Sequence, residues 1–244
     1  MKEFKSKLLT LLAFSIAMGL LESAVVIYLR EIYYPEGFKF PMVLISGRIA
    51  LTELLRELAT LVMLLTIAIL IGKTFTQRFA WFIFSFAVWD IFYYVFLYVL
   101  IGWPESLFTW DILFLIPTVW VGHVIEPVFL SVVMIVFSVI IHLYSIKNLQ
   151  TKISSREWAA LITGSVMIII SFTLDYAKYY FEKFSTKELF SAEFYPHIQN
   201  YMNTYIPREI ATEWFSAGTG LIFIAIVDFI IRNKKLIKQM KLAA

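Results

Sequence analysis

Cysteine is absent from the 244 residues. The absence excludes disulfides, thiolate metal sites and cysteine nucleophiles together, and it leaves the redox compartment open. Histidine is almost as scarce. His123, His142 and His197 stand far apart and do not supply the paired, facing ligands of a membrane haem protein. The chain contains no HExxH, no GxSxG and no Walker A loop, so zinc proteolysis, nucleophile-elbow serine catalysis and nucleotide-driven transport have no motif to rest on. Charge is sparse too, at 16% Asp, Glu, Lys and Arg with a net of +3. Most of the basic residues flank apolar runs, a pattern of membrane topology and not a nucleic-acid footprint.

What the chain has is hydrophobic length. Sixty per cent of its residues are hydrophobic and its mean hydropathy is +0.79, more than a soluble core of this size can bury. The apolar stretches run about 20 residues, enough to cross ~30 Å of hydrocarbon as helix. They are apolar all round and lack the alternation of a membrane β-barrel. The reading is an all-α integral membrane protein, a single six-helix transmembrane bundle. Its spans fall at about 8–29, 49–71, 79–101, 119–146, 158–174 and 214–231, and Ser154 and Glu157 are placed to form a capping box at the start of the fifth. The first run follows Lys2, Lys5 and Lys7 but is too long for a signal-peptide core, so it is read as retained.

Thirteen of the 21 basic residues fall on the side of the two termini, and only Glu3, Glu157 and Asp228 of the 18 acids do. The positive-inside rule then places both ends in the cytoplasm, of a plasma or inner membrane. Two outer segments are unusual. Residues 103–117 (WPESLFTWDILFLIP) are too apolar for an exposed loop and too short to cross and return, which predicts a re-entrant or interfacial segment; residues 176–211, rich in aromatics and charges, predict interfacial amphipathic helix.

Ionisable residues inside spans are expensive and mark a functional site by default. Counting ~1.5 Å per residue from the outer end of each span places Glu22 about 10 Å down, Glu57 about 12 Å, Glu126 about 10 Å and Asp90 near the midplane. Glu53 and Arg56 lie a turn above Glu57, and His123 falls three residues before Glu126 on the same helical face. Pro127 is expected to kink this span and free the His123 carbonyl. The inner halves of the spans are nearly pure hydrocarbon, so the pattern predicts an outward polar cavity above a dry floor.

Glu57, Asp90, Glu126 and His123 are the acid/base candidates. Arg56 is the anion clamp, and Glu53, Glu22, Asp111 and Trp103 are further substrate contacts. His123 with Glu126 also supplies two ligands to a possible divalent metal, short of the three or four a site requires. The bland alternatives are an ion-pair network around Glu53, Arg56 and Glu57, and interfacial anchoring by Trp103 and Asp111. Three functions fit: binding or acting on a membrane lipid or other lipophilic molecule, proton- or cation-coupled transport as a homodimer, or service as a subunit or assembly factor beside a membrane-protein partner. Nucleic acid is not a partner on any of them.

Overall fold

Six helices of the computed structural model are long and apolar enough to cross a membrane, and the protein is an all-helical integral membrane bundle. The structure describes every residue except 1, 44, 149, 189, 190, 192, 194, 243 and 244, and the side chains of 195, 196 and 241; part of the expected interfacial segment 176–211 therefore lies outside the described residues. The helices are α1 (Lys2–Tyr33), α2 (Gly47–Ile71), α3 (Phe75–Ile101), α4 (Ile125–Lys147), α5 (Ser155–Phe181), a short α6 (Tyr195–Met202) and α7 (Thr212–Leu242). Between α3 and α4 two strands, β1 (Trp110–Phe114) and β2 (Trp120–His123), form an antiparallel hairpin.

The two ends of the bundle differ. At the end carrying the chain termini, Phe4 stacks on Trp81, His142 lies 3.8 Å from the Trp81 ring, and Arg232 bonds Glu157 through Nε at 2.8 Å. At the other end the hairpin covers the helices. Local signals explain most boundaries. Ser46, Thr74 and Ser154 accept the first free N–H groups of α2, α3 and α5, and Ser154 with Glu157 completes the expected capping box. Gly102 ends α3 in the left-handed conformation at φ 68°, which costs glycine nothing.

Helix pairing inside a bilayer gains little from hydrophobicity, because lipid tails are as apolar as leucine, so close backbone approach at small residues takes over. Gly164 on α5 and Gly218 on α7 do this reciprocally: a Cβ on either would lie 2.6 Å from the other's carbonyl oxygen. Gly19 on α1 meets the Trp89 carbonyl of α3 the same way, at 3.0 Å. The main core joins α3, α4, α5 and α7 through Ile83, Phe137, Ile141, Leu161, Ile226 and Phe229, and a second joins α1, α2 and α3 through Leu11, Ala68, Trp81 and Phe84. The apolar side chains left exposed, such as Leu70 on α2 and Ile224 on α7, face where lipid would be.

The expected fourth span from residue 119 is shorter than the sequence reading. Residues 120–123 are strand, and α4 begins at Ile125. Its register pairs Trp110 with His123, Asp111 with Gly122, Ile112 with Val121 and Phe114 with Trp120, leaving Leu113 as a bulge. The expected kink at Pro127 does not exist, because Pro127 sits in the first turn of α4, where an N–H has no intrahelical partner to lose. The first N–H groups of α4 are instead met from outside: Val124 N–H donates to Thr109 O at 3.1 Å and Ile125 N–H to Leu107 O at 2.8 Å. The fifth span also runs further than expected, to Phe181, taking residues 176–181 from the outer connection.

Candidate functional site

The i,i+3 spacing of Glu53 and Arg56 places both on one face of α2, where Arg56 donates to Glu53 Oε2 from Nε at 2.9 Å and from Nη2 at 2.6 Å. Its remaining nitrogen, Nη1, pairs with Glu22, so one guanidinium bridges α1 and α2. Glu57, the next residue, accepts the Leu115 N–H at 3.0 Å from the turn of the hairpin. Asp90 on α3 accepts the Ser131 hydroxyl of α4 at 2.8 Å.

Asp111 is not an interfacial anchor. It is 1% exposed, and its carboxylate accepts from Arg30 Nη2 at 3.2 Å and from the Tyr94 hydroxyl at 3.2 Å. The Arg30 guanidinium lies over two rings, 3.7 Å from the centroid of Trp103 and 4.6 Å from that of Phe38. Trp103 therefore positions Arg30 and does not itself face the cavity. Burial pushes the Asp111 carboxyl up to about 6, with Arg30 opposing the shift. Burial also raises the phenol of Tyr34, whose hydroxyl accepts the Val43 N–H.

These groups converge on one cavity of about 370 Å³. Its wall carries five carboxylates, Glu22, Glu53, Glu57, Asp90 and Asp111, and two guanidiniums, Arg30 and Arg56. Apolar side chains, among them Val26, Phe38, Met42 and Leu113, complete it. Gln199 and Asn203 reach it from α6 and the residue following it. That segment is tied to α5 where Tyr205, fully buried, donates to Asp175 Oδ2 at 2.6 Å and Tyr179 stacks on Tyr201 at 4.5 Å. Outside the membrane spans, Arg208 holds the Glu182 carboxyl below its ordinary range through an ion pair.

His123 and Glu126 stand apart from this cavity. His123 is in β2, not on a helix. Glu126 Oε2 accepts the His123 backbone N–H at 2.5 Å, and its other oxygen lies 3.5 Å from His123 Nδ1. A Cβ at position 122 would fall 2.9 Å from that carboxylate, so Gly122 leaves room for Glu126 to reach back to the end of β2. Because α4 starts beside it, Glu126 is in the first turn of a helix and not a third of the way down a span. Burial lowers the His123 imidazole, and among the described residues no group of three His, Cys, Asp or Glu is placed to hold a metal.

Sequence reasoning did not place Arg30 or Tyr94 among the site residues. Arg30 reads as the last charge of a span, and only the hairpin reveals its buried partner. Tyr94 carried a usable signal, since it lies four residues after Asp90 on the same face of α3. No family model matches the chain, and no curated protein and no solved structure matches it either.

Proposed function

We propose that this membrane protein holds the polar part of a lipid or another lipophilic molecule in the cavity between α1, α2, α3 and the hairpin. The observation that carries the reading is the cavity itself: a volume of about 370 Å³ whose wall combines charged groups with apolar side chains. Concave sites that set convergent polar groups among apolar side chains are what small molecules occupy. The buried Leu11, Ala68, Trp81 and Phe84 on the terminal side of the cavity support a holding site over a path through the bundle. Glu57 and Asp90 are the groups we assign to proton exchange with a bound molecule, since neither forms an ion pair with a cation among the described residues. The basic residues at the terminal end favour cytoplasmic termini, with the cavity end outward.

The test is native mass spectrometry of protein purified in mild detergent, comparing wild type with Ala50→Trp. Ala50 lines the cavity and is exposed, so an indole there fills space without disturbing a core. Wild type should retain a lipid adduct that Ala50→Trp loses. An adduct of equal abundance in both, or in neither, refutes the proposal.

A further inference from the structure

The charges on the cavity wall do not balance. Arg30 is engaged by Asp111, and Arg56 by Glu22 and Glu53. Glu57 and Asp90 have neutral donors only, the Leu115 N–H and the Ser131 hydroxyl. Two carboxylates on the wall thus lack a cation among the described residues. A second set of groups lacks the opposite kind of partner. Arg30 and Trp89 are residues of the same wall, 8% and 7% exposed, and neither Arg30 Nη1 nor Trp89 Nε1 has an acceptor among the described residues. Buried donors of this kind are nearly always satisfied in proteins, and the indole adjoins Asp90 in sequence.

We infer that the ligand is a zwitterionic amine, with an ammonium set against Asp90 and Glu57 and a phosphate or carboxylate whose oxygens accept from Arg30 and Trp89. This rests on the cavity being a binding site. A purely anionic headgroup brings further negative charge to a wall where acids already outnumber guanidiniums. A purely cationic one leaves the two N–H donors unmet. The zwitterion answers both with charge-assisted hydrogen bonds, and the ring of Tyr93, also on the wall, offers an ammonium a π face. The same chemistry has two sources, the headgroup of an aminophospholipid or a free amino-alkyl phosphate.

The experiment uses delipidated full-length protein in maltoside micelles. It measures adducts by native mass spectrometry and thermal protection with phosphatidylethanolamine, with phosphatidylglycerol of the same acyl chains, and with free phosphoethanolamine. Phosphatidylethanolamine should be retained about tenfold more than phosphatidylglycerol, and Asp90→Asn or Glu57→Gln should erase most of that preference. Both substitutions keep side-chain shape and remove a buried charge, so the fold is kept, and unchanged far-ultraviolet dichroism verifies it. Equal retention of the two lipids overturns the zwitterion while leaving the cavity reading intact. Retention of neither above the Ala50→Trp level sinks both. Protection by phosphoethanolamine that matches the lipid supports the headgroup chemistry and identifies a soluble source.

Discussion

Replacing Arg30 by methionine tests how the hairpin is held to the bundle. The change strips Asp111, 1% exposed, of its counter-ion while keeping the hydrogen bond from Tyr94 at 3.2 Å. Orphaning one member of a buried pair costs about 3–5 kcal/mol, and losing the two ring contacts of the guanidinium adds about 1 kcal/mol. Arg30→Met should therefore destabilise the protein by about 4–6 kcal/mol. The double variant Arg30→Met with Asp111→Asn removes both charges, and it should recover about 2–3 kcal/mol of that loss. Unfolding by titration with a denaturing detergent, followed by tryptophan fluorescence, reads this directly, with Trp103 lying 3.7 Å from the guanidinium. The same protein has a pH signature. Burial raises the Asp111 carboxyl from 3.8 to about 6, so the folded chain binds that proton more tightly than the unfolded chain. The stability this contributes is complete below 3.8 and is lost as pH rises through about 6. Moving to the acid end of that window should therefore stabilise wild type by more than it stabilises Asp111→Asn. Costs that simply add in the double variant, or a slope as steep in Asp111→Asn as in wild type, would refute the reasoning.

Two further outcomes follow from the helix contacts. Gly164→Ala drives a Cβ to 2.6 Å from the Gly218 carbonyl, and since backbone must yield it should cost about 1–3 kcal/mol in the same unfolding assay. Pro127→Ala should change stability by less than about 1 kcal/mol, because the ring occupies a first turn; a loss near the ~3 kcal/mol of an interior helix proline site would restore the kink.

The helical class was legible because a bilayer demands long uninterrupted apolar runs, and the sequence has six. The Glu53–Arg56 pair and the Ser154–Glu157 cap were legible because both are local, three residues apart. Glu22, Glu57 and Asp90 were legible as neighbours through their common depth. The hairpin was not. WDILF and WVGH combine aromatic and branched side chains that suit a strand as well as a lipid-facing helix, and a run this short has no period to decide between them. Everything hung on the hairpin was hidden with it: the burial of Asp111, the partner of Arg30, the anchoring of Glu57 by Leu115, and the reassignment of Glu126 from a mid-span acid to a first-turn residue tied to the end of β2. The partners in these contacts lie 81, 58 and 3 residues apart, and only the last is a spacing that local reasoning reaches.

The hairpin also imposes an order on synthesis. Its ties to Arg30, Glu57 and Tyr94 all reach back to segments already made when residue 123 leaves the ribosome. Its other side is different: Val121 packs into the cluster of Tyr179, Tyr180 and Tyr205, and Trp120 stacks on Phe172, all of which arrive roughly 50 or more residues later. For that interval the growing chain carries a docked hairpin with an uncovered aromatic side, and at a translation rate of about 5–20 residues per second the exposure lasts seconds. A nascent chain halted between α4 and α5 is thus the species that a membrane chaperone, or a second copy of the chain, would meet.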